Sequence, residues 1–173
     1  MLNHPLPNRL YTIGLDYGSL SCRGILADVR NGAILAEETF VYPHGVMDAS
    51  LPDGTPLQSG WYLQHPSDYV DALQAVIPSL VKKSGVSPEQ IVGIGVDATA
   101  STVIPVDEAM QPLCLNPLFS SPPHAWPKMW KHHAAYPQAQ KLTAITKEKQ
   151  QPYLDWYGGA VSAECLLSKV VET

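Results

Sequence analysis

The residues with the most chemistry per length lie in Gly14-Leu15-Asp16-Tyr17-Gly18-Ser19-Leu20-Ser21-Cys22-Arg23-Gly24. One carboxylate enters this stretch, glycines punctuate it, two serine hydroxyls lie within it and an arginine leaves it. Glycine lets backbone N–H groups approach an anion closely, and short hydroxyls add donors. A carboxylate beside a phosphate is tolerable when a Mg²⁺ ion lies between them, held directly or through water. The stretch therefore has the chemistry to hold the phosphates of a nucleotide. Asp, Gly and Ser are also ordinary turn residues, so a plain hairpin fits the same letters.

The elements around the turn must position it. Leu10–Leu15 and Cys22–Val29 are strand-like runs that flank it, and Asn31-Gly32 is a two-residue hairpin signal feeding a third strand, Ala33–Tyr42. Three strands joined by short turns are antiparallel. Pro43 to Leu63 reads as a loop; His44, Asp48 and Asp53 within it match no metal-ligand spacing. Ser67 is placed to cap a helix reaching about Lys83, with Gly85 to end it and Pro78 expected to kink or shorten it. Its apolar positions Tyr69, Val70, Leu73, Val76, Ile77, Leu80 and Val81 form one stripe. Ser87-Pro88-Glu89-Gln90 has capping-box spacing and predicts a single turn.

Ile91–Val96 reads as a fourth, buried strand that should run parallel to its neighbour, because a helix precedes it. It ends in Asp97-Ala98-Thr99-Ala100-Ser101-Thr102, at the carboxyl end where ligands of such sheets gather. A short fifth strand is expected over Thr102–Val106. Trp126, Met129, Trp130, His133 and Ala134 mark a helical face, Pro137 should interrupt it, and Gln138–Lys149 should resume as helix. A last helix after Gly158-Gly159 carries Ala163, Leu166, Leu167, Val170 and Val171 on one side. His132 and His133 are adjacent and point to different helix faces, so no metal is assigned to them.

The bulk composition narrows the classes. With 173 residues, 45% hydrophobic and 16% charged, the chain can bury a real core and is neither disordered nor a coiled coil. A net charge of −5 with scattered basic residues gives no footprint for nucleic acid or a membrane surface. Met1-Leu2-Asn3-His4-Pro5 lacks the pattern of a secretory leader, and no apolar run is long enough for a membrane span. Cys22, Cys114 and Cys165 are far apart and odd in number, which favours reduced thiols and a cytoplasmic setting.

Three antiparallel strands, a helix and a parallel strand resemble the opening of a ribonuclease H-like, actin-like α/β domain. In that superfamily the first hairpin turn binds ATP phosphates. Gly14–Arg23 resembles the first phosphate motif of the carbohydrate kinases that include glycerol kinase, xylulokinase and ribulokinase. Further segments are similar to the branch acting on L-ribulose: Tyr42–Asp48, Gln64–Tyr69, Gly93–Thr102, Pro123-His124-Ala125, Trp130–Ala135 and Tyr157-Gly158-Gly159.

The resemblance implies ATP and Mg²⁺ as cofactors and a small sugar, L-ribulose, as partner. Asp16 would hold Mg²⁺ through water, Gly18, Ser19 and Ser21 would border the phosphates, and Arg23 would help bind ATP. Leu20 stands where glycerol kinases have a second hydroxyl, so one side-chain contact is absent or replaced by backbone. Ala100-Ser101 replaces an Arg-Glu pair that grips a polyol in glycerol kinase, leaving room for a larger ketose. Trp130 falls where the family has an aromatic wall, although a core tryptophan fits the same stripe. Asp97 is either a sugar ligand or a buried strand-end carboxylate satisfied by nearby backbone. The family's catalytic base and adenosine-binding domain lie beyond the matched segments. Residues 1–173 are thus expected to be the N-terminal part of the first kinase domain, inactive alone. Exposed apolar surface is expected on the last helix and one sheet edge. Another pentulose or pentitol such as D-ribulose, or a non-catalytic remnant that binds sugar or nucleotide, remains a competing reading, and a homo-oligomer is compatible with all of them.

Overall fold

The computed structural model describes residues 9–173; the expectation about a leader at Met1–Pro5 lies outside them. Strands β1 (Tyr11–Tyr17), β2 (Ser21–Asp28) and β3 (Ile34–Val41) form the antiparallel meander, and β4 (Ile91–Ala98) joins parallel to β1. The order in the sheet is β3-β2-β1-β4. Asn31-Gly32 falls in the turn between β2 and β3, but the connection is longer than the expected two residues: the Asp28 N–H donates to the Ala33 carbonyl at 2.9 Å, and within this turn Gly32 alone takes a positive φ, +71°, donating its N–H to the Asp28 carbonyl at 2.9 Å.

Helix α1 (Pro66–Ser84) covers one face of the sheet. Ala72, Val76 and Leu80 pack with Tyr11, Ile13, Leu15, Cys22, Leu26 and Ala36 in one core. The helix runs through Pro78 instead of ending a turn early. Pro78 and Gln74 are both exposed, so the Gln74 carbonyl that loses its N–H partner is open to water. Gly85, at φ +66°, ends the helix by donating to the Val81 carbonyl at 3.1 Å. A 3₁₀ turn over Pro88–Gln90 follows, with the Gln90 side chain accepting the Ser87 N–H at 3.2 Å.

β4 differs from the expectation of a buried strand. It is exposed along nearly its whole length, because it is the sheet's edge and α1 packs over the other strands. The described chain divides into two compact units: one ends at Gly45 and resumes over Ser67–Ala98, the other comprises Val46–Pro66 and Thr99–Thr173.

The second unit is less regular. It holds α2 (Tyr136–Glu148), α3 (Tyr153–Trp156) and α4 (Leu166–Glu172), with 3₁₀ turns at Leu113–Leu115 and Pro123–Ala125. Two expectations fail here. Thr102–Val106 forms no strand, only isolated bridges from Val103 to Lys128 and from Val106 to Pro112. The segment following Trp126 is not a helix either. Its N–H groups are taken by distant carbonyls: Lys128 donates to Val103 at 2.9 Å and Met129 donates to Tyr62 at 3.1 Å. Residues 125–129 are all buried in succession, which a single helical face cannot achieve. Pro137 sits in the first turn of α2 and starts that helix instead of interrupting one. Met47, Leu51, Leu63, Cys114, Ala125 and Trp126 form this unit's core.

Candidate functional site

The first unit carries the phosphate-type turn. In β1 and β2 register, Asp16 stands across from Arg23; in β1 and β4 register it stands beside Asp97. Paired residues share a face, so the three charged side chains lie on the sheet face turned away from α1. They line an open groove of about 580 Å³ with Gly14, Ile25 and Gly95. A Cβ built on Gly95 would meet nothing within 4 Å, so the groove floor is bare backbone with space above it.

Arg23 Nη2 donates to Asp16 Oδ2 at 2.5 Å in an exposed pair. The Gly18 N–H donates to the Ser21 carbonyl at 2.9 Å and closes the hairpin. That N–H is therefore committed to the turn, and Gly18 shapes the site without supplying a free donor. Ser19 and Ser21 are half-buried in the turn, and Leu20 projects from it at 60% exposure. The Leu20 carbonyl accepts the Tyr42 N–H at 2.9 Å, which ties the turn to the end of β3.

The base of the turn is anchored in the core. The Tyr17 hydroxyl donates to the Tyr69 carbonyl in the first turns of α1 at 3.1 Å, and the rings of Tyr17 and Tyr42 both meet Tyr69 edge-on. Burial raises the Cys22 thiol above its usual range, with the Asp16 carboxylate adding to the effect. Cys22 is buried and free, so it acts as packing and not as a reactive thiol. Asp97 is exposed, contrary to the buried reading, and its Oδ1 accepts the Ala98 N–H at 2.9 Å.

The other expected residues belong to the second unit. Ala100 is exposed and Ser101 is half-buried with φ +59°, an uncommon value for a non-glycine residue. The antiparallel bridge between Val103 and Lys128 brings the segment following Ser101 alongside the segment leading to Trp130. Trp130 is 41% exposed, whereas Trp126 and Met129 take the core positions. Exposure thus separates the two tryptophans that the stripe had grouped.

The same unit contains a buried ionisable cluster that no local pattern announces. The His132 Nδ1 accepts the Tyr62 N–H at 3.2 Å, so its Nε2–H donates to Glu172 at 2.9 Å. Lys128 Nζ lies 3.8 Å from Glu172, and donates to the Thr173 hydroxyl. Trp61 packs edge-on against His124 and His132, and Lys128 sits 6.0 Å from its ring centre. Burial pushes the Lys128 ammonium below its usual range; burial, then Lys128, does the same to His124. In the first unit, sequence reading likewise missed the His44–Asp68 pair, at 2.6 Å, because its partners are separated by a loop.

Residues 11–155 match the N-terminal domain of the FGGY family of carbohydrate kinases, and the chain belongs to that family. Among curated relatives it is 45% identical to a ribulokinase of Shouchella clausii over 161 residues, covering 92% of this chain and 29% of that protein. It is 46% identical to a ribulokinase of Halalkalibacterium halodurans over 162 residues, covering 92% of this chain and 29% of the relative. The chain therefore spans less than a third of the relatives it matches.

Solved structures share the fold. A xylulose kinase from Rhodospirillum rubrum superposes with TM-score 0.62 at 20% identity, covering 83% of this chain and 25% of that one. A Plasmodium falciparum glycerol kinase with ADP gives 0.64 at 14% identity, covering 95% and 28%. These likenesses confirm the actin-like α/β architecture. No helix among the described residues is long and apolar enough to cross a membrane.

Proposed function

We propose that this chain supplies the phosphate turn and part of the sugar site of an ATP-dependent kinase that phosphorylates L-ribulose to L-ribulose 5-phosphate in the cytoplasm. The observation that carries this reading is the 38–46% identity to ribulokinases over 88–94% of the chain. The family match over residues 11–155 includes the turn and the segments holding Asp97, Ala100, Ser101 and Trp130.

The groove suits a triphosphate and its metal. Asp16 and Arg23 offer opposite charges at one end of a bare glycine floor, so an anion has a guanidinium partner and a hydrated cation has a carboxylate. Asp16 would hold Mg²⁺ through water; Ser19, Ser21 and Arg23 would border the phosphates, and Gly18 would set the turn. Bound Mg·ATP supplies the transferable phosphoryl group and the charge neutralisation that such transfer depends on. In the first unit Asp97 would accept a hydrogen bond from a sugar hydroxyl; in the second, Ala100 and Ser101 would leave space for a ketose and Trp130 would form an aromatic wall. The catalytic base and adenosine pocket belong to other parts of the family's chain, so residues 1–173 alone do not turn over.

A hybrid tests this reading. The matching segment of the Shouchella clausii ribulokinase is replaced by this chain, and ADP release is followed with L-ribulose, D-ribulose, D-xylulose and glycerol. Turnover highest on L-ribulose is expected. A folded hybrid that prefers glycerol or D-xylulose would overturn the substrate assignment, and release by residues 1–173 alone would overturn the division of labour.

A further inference from the structure

Helix α4 is built inside out. It buries Ser168 and Lys169, both fully, and leaves Leu166, Leu167, Val170 and Val171 between 49% and 59% exposed. Burying an ammonium costs heavily unless its hydrogen bonds are replaced. Lys169 Nζ donates to the Met129 carbonyl at 3.0 Å and to the Trp130 carbonyl at 3.3 Å. Among the described residues no carboxylate forms an ion pair with it; the neighbouring Glu172 is engaged by His132 and Lys128. The charge is thus committed to two consecutive carbonyls of one irregular turn.

That turn has no helix or strand ladder of its own to hold it. It is held by Lys128 pairing with Val103, Met129 with Tyr62, the His132 N–H donating to the Met129 carbonyl at 3.0 Å, and the ammonium from α4. Removing the ammonium takes one donor from each of the two carbonyls that flank the Trp130 Cα, leaving the Met129 carbonyl to the His132 N–H at 3.0 Å, at the residue whose side chain projects outward. We infer that Lys169 is a positioning residue: by clamping the Met129 and Trp130 carbonyls it fixes the direction in which the Trp130 indole is presented. Its role in sugar recognition rests on the reading of Trp130 as the sugar's aromatic wall. The cluster around it gives the clamp a pH range. Burial pulls the Lys169 ammonium down to about 8, Glu164, Cys165 and Glu172 oppose that shift, and Lys128 reinforces it. His132 faces Glu172 from the turn itself, and His124 faces the same cluster across Trp61.

The test uses residues 1–173 labelled with fluorotryptophan, the Trp130 resonance being identified by its loss in Trp130→Phe. In the unsubstituted chain that resonance should move by more than its linewidth as pH rises through about 8, while the Trp126 and Trp156 resonances hold still. Lys169→Met should displace the Trp130 resonance below that pH and abolish its titration, and Lys169→Arg, which keeps a cationic donor, should restore its position. A merely structural lysine would lower stability without a selective effect at Trp130. If Lys169→Met does not fold, the pH titration of the unsubstituted chain decides alone. A Trp130 resonance that is flat through this range, or unmoved in folded Lys169→Met, would overturn the inference. No sugar enters the measurement, so failure of the substrate assignment leaves its outcome unaffected.

Discussion

At the scale of single residues, the phosphate-type turn is held by contacts of very different worth. The Asp16–Arg23 pair is exposed on both sides, 46% and 66%, and such pairs contribute only about 0–1 kcal/mol to stability. Its value is the placement of two opposite charges at the groove. Tyr42, behind the turn, shows the opposite case. It is 3% exposed, and its hydroxyl has no hydrogen-bond partner among the described residues. An unsatisfied buried hydroxyl costs about 1–3 kcal/mol, so Tyr42→Phe should leave stability unchanged or raise it by up to about 1 kcal/mol in urea unfolding. A loss greater than about 1 kcal/mol would show that the hydroxyl is bonded after all. Burial also drives the Tyr42 hydroxyl's pKa upward, so this tyrosine stays neutral across ordinary pH.

Among the elements, β2 meets α1 at Gly24 with no room for a side chain. A Cβ on Gly24 would lie 2.3 Å from Val76 Cγ1 and 3.0 Å from Leu80 Cδ1. Gly24→Ala must therefore push α1 off the sheet or force rotamers, and should cost about 1–3 kcal/mol, read as a lower urea midpoint. Gly95→Ala, with open space above it, is the matched control and should cost less. Much of this unit was legible in sequence. Alternating apolar strands, Asn31-Gly32 as a turn signal, Val76 and Leu80 of the α1 stripe and Gly85 each act locally and agree with the fold, whereas Val70 and Leu73 of that stripe are exposed and Ala72 takes a core place instead. The second unit was not legible in the same way. Trp126, Met129 and Trp130 have helical spacing, yet Pro127 lies among them and carbonyls of Tyr62 and Val103 claim the backbone. His132 and Glu172 meet across 40 residues, and Lys169 reaches Met129 across 40, so no window of sequence contains either pair. Asp97 was placed at the right strand end, but its exposure follows from β4 being an edge, which periodicity does not encode.

On the scale of the molecule, the apolar surface is unusually open. Val92, Ile94 and Val96 on β4 are 53–64% exposed, as are the four aliphatic residues of α4 to a similar degree. An exposed edge strand with apolar side chains is a template for association. Residues 1–173 should therefore bind ANS and self-associate with rising concentration in analytical ultracentrifugation; a monodisperse, ANS-silent monomer would count against this description of the surface. The relatives are more than three times as long as the stretch they share with this chain, since it covers 28–30% of them. In such a longer protein, added polypeptide is available to cover these faces.

Across these scales, the role we propose for the Asp16 turn is to handle the phosphates of Mg·ATP. The most direct measurement is L-ribulose-dependent ADP release by the hybrid ribulokinase carrying this chain, with and without Asp16→Ala. Because Arg23 is surface-exposed and the pair adds little stability, the substituted hybrid should fold with an unchanged melting temperature and lose at least about 100-fold in turnover. Turnover by the Asp16→Ala hybrid within a few-fold of its parent would contradict the account.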